Sequence, residues 1–274
     1  MSLLVVGSVA LDSVETPFGK AEDVLGGSAT YFSVSASHQT PVQLVGVVGN
    51  DYPVHQLEPL RALGIDLAGL EHADGESFRW RGRYRHDLNS AETLETQLQV
   101  LEQVDKPKFV ACDTMNFWIE SRRGDLMELL ERVDLITLND GEARQLTDQA
   151  NLVQAARWIL DRGPRTVLIK KGEHGAFMFT RDSVFYAPAY PLEAVFDPTG
   201  AGDSFAGGFM GYLARTNDLS DANLRRAVIV GSAMGSFVVE AFSIGRLLDV
   251  TRDDIDRRVA DFHRLVSFDQ EMPA

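Results

Sequence analysis

Residues 195–214 read VFDPTGAGDSFAGGFMGYLA. Gly200, Ala201 and Gly202 place three residues without bulk ahead of Asp203 and Ser204, and the pattern from Gly202 to Thr216 is helical. A helix cap needs one polar residue, for which Thr199 or Asp203 would serve. Capping alone leaves the bare Gly-Ala-Gly run unexplained. At a helix start, missing side chains leave N–H donors reachable where the helix dipole concentrates roughly half a positive charge, which is how a phosphate seat is built. A carboxylate beside bound phosphate is electrostatically unfavourable unless it handles a proton, so Asp203 reads as the general base for an attacking hydroxyl. Two other phosphate seats are excluded. No Gly-Lys-Ser/Thr exists for a P-loop, and Phe205 stands where a GxGxxG fingerprint needs its last glycine.

Outward from this stretch, short apolar runs alternate with helical patterns. Ser2–Leu11, Val42–Gly49, Lys108–Cys112, Val133–Asn139 and Arg165–Lys171 read as strands. Helices are expected from Ser28 to His38, near Val54–Leu63, over Arg122–Arg132 and over Leu152–Arg162. FMFT and SVFYAP read as two further strands, followed by helices over Gly202–Thr216, Ser220–Ala241 and Arg252–Ser267. Uninterrupted apolar strands joined through helices imply βαβ units and a largely parallel sheet covered on both faces. No repeat or linker divides the chain, so one domain over 1–274 is expected.

Ser77–His86, SFRWRGRYRH, departs from that rhythm. Phe78, Trp80, Gly82 and Tyr84 fall on one side and four arginines on the other, the period of a strand with one packed and one wet face. It reads as an antiparallel flap, either an edge strand with solvated arginines or a lid whose aromatic face covers a ligand. An anionic acceptor facing the arginines is the less favoured reading.

Composition narrows the partners. The 274 residues are 45% hydrophobic and 24% charged, and 26 Lys and Arg against 40 Asp and Glu leave a net charge of −14. Such a body repels nucleic acid and anionic membrane surfaces. Cys112 is the sole cysteine, so neither an intramolecular disulfide nor a multi-thiolate zinc site is expected, and the six histidines lack metal-ligand spacing. Trp118 and Trp158 read as packing residues. The start MSLLVVGSVALDS lacks a basic n-region and reads as a strand rather than a signal peptide. No run reaches the roughly 18–20 apolar residues of a membrane span. A cytoplasmic location is expected.

Four motifs in order resemble those of ribokinase-like (PfkB) carbohydrate kinases: Gly26-Gly27-Ser28-Ala29, Asn139-Asp-Gly-Glu142, Lys171-Gly172-Glu173-His174-Gly175 and Asp197-Pro-Thr-Gly-Ala-Gly-Asp-Ser-Phe205. The resemblance implies a three-layer α/β/α fold with a mostly parallel central sheet and a small β lid, with lid segments near 12–25 and 74–96. It implies ATP-dependent, Mg²⁺-requiring transfer of the γ-phosphate to a hydroxyl of a small sugar or polyol, with a nucleoside as the alternative acceptor. A non-catalytic ligand-binding homologue is the rival from another class, disfavoured because binding alone needs no base.

Residue by residue, the resemblance makes Asp203 the catalytic base and the backbone of Gly200, Ala201, Gly202 and Asp203 the anion hole. Asp12, Gly26 and Gly27 would line the acceptor pocket. Lys170, Gly172, Gly175, Ala233 and Ser236 would border ATP. Asn139 and Glu142 would hold Mg²⁺ through water, and Asp197 and Thr199 a monovalent cation such as K⁺. A homodimer through the lid is a further implication. Two positions depart from the family pattern. Tyr31 stands where an asparagine usually contacts the sugar, which with Trp80 leaves the acceptor's identity open, and Lys170 replaces a small hydroxyl residue near ATP.

Overall fold

The computed structural model describes residues 2–84, 91–96 and 107–267. Two short strands come first, β1 (Leu3–Val6) and β2 (Ala10–Thr16), and β2 turns back into β3 (Gly19–Gly26). Helix α1 (Ser28–Ser37), β4 (Val42–Gly49), a 3-10 turn over Val54–Leu57, α2 (Glu58–Ala62) and β5 (Asp66–Ala73) follow. Next are β6 (Arg79–Tyr84), β7 (Ala91–Thr96), β8 (Ala111–Asp113), α3 (Asn116–Ser121) and α4 (Arg123–Leu130). Strand β9 (Leu135–Asn139), helices α5 (Asp140–Thr147) and α6 (Leu152–Leu160) and strand β10 (Thr166–Lys170) complete the middle of the chain. A 3-10 turn at Gly172–His174 leads to β11 (Ala176–Phe179) and β12 (Val184–Ala187). Helices α7 (Ala201–Thr216), α8 (Asp221–Val238), α9 (Gly245–Leu248) and α10 (Arg252–Val266) come last.

Strands β8, β9 and β10 run parallel and continue antiparallel into β11 and β12. Their side chains alternate between two cores. Leu135 and Leu168 meet Phe205, Phe209 and Val228 of α7 and α8, whereas Ile136, Leu138, Val167 and Ile169 meet Leu130, Leu146 and Ile159 of α4, α5 and α6. Burial on both faces explains why these strands read as unbroken apolar runs, and the result is helix on sheet on helix. A second parallel sheet, ordered β1-β4-β5, packs Val5, Leu44 and Val48 against Val34 of α1 and Phe237 of α8. Leu3 touches the cores of both sheets. Helix α7 lies tight against α1 because Gly207 has no side chain: a Cβ there would come within 2.3 Å of the Phe32 carbonyl oxygen.

A third sheet, ordered β3-β2-β6-β7, forms the lid. Trp80, Gly82 and Tyr84 share one face as their alternation predicts, and a Cβ on Gly82 would fall inside the Trp80 ring. On the other face Arg79 pairs with Asp51 at 2.5 Å and Arg83 with Glu15 at 2.9 Å, which accounts for those arginines without an anionic acceptor. Arg85 and His86 lie outside the described residues.

Several expectations are corrected. Ser2–Leu11 is not one strand. It breaks at Gly7–Val9, where the Ser28 amide donates to Ser8 Oγ and the Ala29 amide to the Ser8 carbonyl, so the break caps α1 and sends β2 into the lid. The flap is mixed rather than antiparallel, since β6 runs parallel to β2 and antiparallel to β7. The single central sheet is present as two hydrogen-bonded sections of three and five strands. A kink at Arg122 splits α3 from α4, and β5 and the short, mostly polar α5 were not read from sequence. No helix among the described residues is long and apolar enough to cross a membrane.

Candidate active site

Helix α7 starts at Gly200, whose φ of 73° and ψ of 3° are left-handed and whose missing side chain makes room for Tyr31: a Cβ would lie 2.3 Å from that ring. Any other residue there meets both backbone strain and a clash. No side chain caps the helix. The Ala201 amide donates to the Pro198 carbonyl at 3.2 Å, whereas those of Gly200, Gly202 and Asp203 have no acceptor among the described residues. Of the amides expected in the anion hole, Ala201's is therefore committed internally. The open donors sit at the positive end of the helix dipole. Asp197 braces this turn from behind. Its carboxylate accepts from the amides of Thr199 (2.9 Å) and Ser243 (3.2 Å) while only 1% exposed, and the neighbouring Thr199 hydroxyl is buried close to Asp197 and Tyr84, with no bond of good geometry among the described residues.

Asp203, on the first turn of α7, is half-buried in the cleft. Burial, reinforced by the charge of Asp113 and opposed by Lys170, raises its carboxyl to about 6. Asp12 of β2 is more deeply buried and is raised to about 7, by burial first, with the Gly27 N–H bond offsetting part and Asp203 and Asp197 adding to the rise. Its Oδ2 accepts from the Gly27 amide at 3.4 Å, and a Cβ on Gly26 would strike the carboxylate at 2.1 Å. Gly26 thus serves the pocket by making space for Asp12 without lining it. Tyr31 is buried with its hydroxyl beside Asp12, and burial, then the Asp12 charge, raises its ionisation well above the ordinary value. Trp80, level with Asp12 in the β2–β6 register, and Tyr84 face the same space with ring centroids 6.3 Å apart.

Three parallel strands end side by side at Asp113, Asn139 and Lys170, the edge where open α/β sheets hold ligands. Lys170 Nζ donates to Asp113 Oδ2 at 2.7 Å. Asn139 and Glu142 form a reciprocal capping box on α5: Asn139 Oδ1 accepts from the Glu142 amide and Glu142 Oε2 from the Asn139 amide, both at 2.8 Å. Burial raises the Glu142 carboxyl to about 7 although Lys170 opposes the rise. No cluster of three or more His, Cys, Asp or Glu side chains among the described residues is arranged to hold a metal. The donor set fits a hard cation that keeps water and phosphate oxygens, with Glu142 offering the oxygen its cap leaves over.

Beyond these groups the cleft continues past Gly172–Gly175, residues 189–192, the α8 residues Ser232, Gly235 and Ser236, and Val239 just after the helix. Ala233 does not line it. It is wholly buried on the adjoining face of α8, since the cleft-lining set follows the i, i+3, i+4, i+7 spacing from Ser232. The Ser236 hydroxyl is already engaged, donating to the Ala233 carbonyl and accepting from Arg258. The cleft's volume of about 2500 Å³ exceeds the 300–1,000 Å³ usual for one small ligand, which leaves room for two on either side of the α7 start. Asp113 was missed from sequence: CDTMN carries no local signal, and its role depends on strand register.

An open-amide helix start beside a half-buried carboxyl, roofed by a β lid, is the arrangement of a small-molecule kinase fold. The chain belongs to the pfkB family of carbohydrate kinases, whose family description matches residues 71–249, and it is accordingly a phosphotransferase with an alcohol group as acceptor. It is 28% identical over 258 residues to a cytidine kinase of Thermococcus kodakarensis, covering 81% of this chain and 91% of that protein. The fold matches a nucleoside kinase of Methanocaldococcus jannaschii with a TM-score of 0.77 at 21% identity, covering 95% and 98% of the two chains. It also matches a Vibrio cholerae fructokinase double mutant in its fructose-, ADP- and potassium-bound form, with a TM-score of 0.79 at 17% identity, covering 94% and 98%.

Proposed function

We propose that the protein transfers the γ-phosphoryl group of ATP to a hydroxyl of a ribosyl compound, a nucleoside in preference to a free sugar, and that residues 1–274 form one kinase domain. The observation that carries the transfer is the pairing of three open amides at the α7 start with the half-buried carboxyl of Asp203. Asp203 takes the proton from the acceptor hydroxyl as that oxygen bonds to phosphorus and the bond to ADP breaks. The amides of Gly200, Gly202 and Asp203 meet the negative charge without reorganising. Mg²⁺ supplies further charge neutralisation when bound, with Asn139 and Glu142 as its facing residues. Asp12 holds acceptor hydroxyls, and the lid excludes water that would otherwise hydrolyse the donor.

The preference for a nucleoside rests on the ring wall of Trp80 and Tyr84 above Tyr31, which offers flat apolar surface to a base, and on the similarity to a cytidine kinase. A free sugar held by Asp12 is the second reading, favoured by the depth of that carboxylate. K⁺ is assigned to the Asp197–Thr199 turn, where the Thr199 hydroxyl is the available ligand. Lid-to-lid pairing in a homodimer would use the edge strand β3 or β7.

The test is an ADP-release screen of nucleosides, sugars and polyols with Asp203→Asn as the blank. A nucleoside should exceed every free sugar in kcat/KM by about tenfold or more, and the reverse order selects the sugar reading. Asp203→Asn should lower kcat by about 10²–10⁴-fold. Because burial lifts the Asp203 carboxyl to about 6, the base is ionised above that pH and protonated below it. Turnover should therefore fall as pH drops through about 6. Near-normal turnover in the variant removes Asp203 from the mechanism.

A further inference from the structure

Lys170 is the departure from the family pattern that the reading above leaves without work. Its Nζ lies over the first turn of α7, where a Cβ on Gly202 would be 2.8 Å away. A cation against the positive end of a helix is unfavourable. Asp113, Glu142 and Asp203 surround it, yet among the described residues its hydrogen bond goes to Asp113, leaving donors on the side of Gly202. Positive dipole, open amides and a fixed ammonium converge on one point, and that convergence suits a multiply charged anion.

We infer that Lys170 contacts the phosphoryl group being transferred, and that Asp113 is the positioning residue that holds the ammonium at the α7 start. This rests on the reading of Gly200–Asp203 as the phosphate seat. Lysine has three N–H donors, so it keeps Asp113 with one and meets phosphate oxygens with another, and no rearrangement is needed. In the transfer, the acceptor oxygen bonds to phosphorus, the bond to the ADP oxygen breaks and the proton goes to Asp203. Lys170 gives up no proton and neutralises charge on the moving group.

The experiment measures binding of ATP, ADP and AMP to the full chain, with Mg²⁺ present, alongside kcat and KM. Lys170→Met should weaken ATP binding about 10- to 100-fold, the range of a charge-assisted bond. AMP, which has no phosphoryl group to transfer, should bind as it does to the native chain. Lys170→Arg should recover part of the ATP affinity and confirms a folded site if the methionine variant is unstable. The rival explanation is that Lys170 merely silences Asp113, whose bare carboxylate would repel phosphate. Lys170→Met combined with Asp113→Asn separates the two. Continued weak ATP binding in the double variant supports contact, whereas recovery to native affinity overturns it. Equal losses for ATP and AMP also overturn it, by making the effect structural. If the native chain itself neither binds ATP nor phosphorylates any acceptor, it is the kinase reading of the site that fails.

Discussion

Helices α5 and α7 open onto the same cleft and begin in opposite ways. At α5, Asn139 and Glu142 cap each other's amides, so side chains satisfy part of the helix start. At α7, Gly200 offers no side chain, and the amides of Gly200, Gly202 and Asp203 are left open. Both stretches are polar and both suggest ligands by residue type alone. What separates them is that side chains satisfy some of the orphan donors at α5 and none at α7. The helix with fewer polar atoms is the one whose first-turn donors no side chain covers, which is what the proposed phosphate seat requires.

The strongest way to break this contrast is Gly200→Ala. The substitution forces a side chain into a left-handed backbone and against the Tyr31 ring, so the helix start must shift. A displacement of about 1 Å at a reacting site lowers rates by about 10²-fold, and kcat/KM should fall by that order with ATP binding weakened alongside. Native turnover and ATP affinity in a folded Gly200→Ala protein would show that the geometry at this turn is not what holds the phosphate.

The uncapped start of α7 was legible because everything that makes it sits within a few residues, and glycine spacing is a local signal. The lid face was legible for a related reason: alternation at Trp80, Gly82 and Tyr84 fixes which side they share. Asp113 and Lys170 were not legible as a pair. They are 57 residues apart and meet only because β8, β9 and β10 end in register. Ala233 was misplaced because a short motif does not tell which face of α8 turns to the cleft, a matter settled by how Phe205 and Phe237 pack. The break at Gly7–Val9 escaped because two strands with no charge between them look like one.

A milder change sharpens the comparison at α5. Glutamine can replace glutamate in a capping box, so Glu142→Gln should leave thermal stability nearly unchanged at neutral pH while removing the carboxylate that would face Mg²⁺. Losing an outer partner of a metal typically weakens its binding about 10- to 100-fold. The Mg²⁺ concentration for half-maximal turnover should rise within that range. An unchanged Mg²⁺ requirement would leave Glu142 a cap and nothing more.

The smallest effect belongs to Asn139→Ala. Loss of an N-cap side chain costs about 1 kcal/mol, which in a domain of this size lowers Tm by about 2–4 °C. The Glu142 amide loses its acceptor, but it lies at a helix start that water can reach, so the penalty should not grow further. At saturating Mg²⁺ and ATP, turnover should stay within about threefold of native, because the open amides at α7 are untouched. Calorimetric unfolding read beside steady-state kinetics distinguishes the alternatives. A lowered Tm with retained turnover marks Asn139 as a structural cap, whereas an unchanged Tm with a tenfold loss of turnover would mean that its side chain serves the ligand and that the two helix starts are less different than their hydrogen bonds indicate.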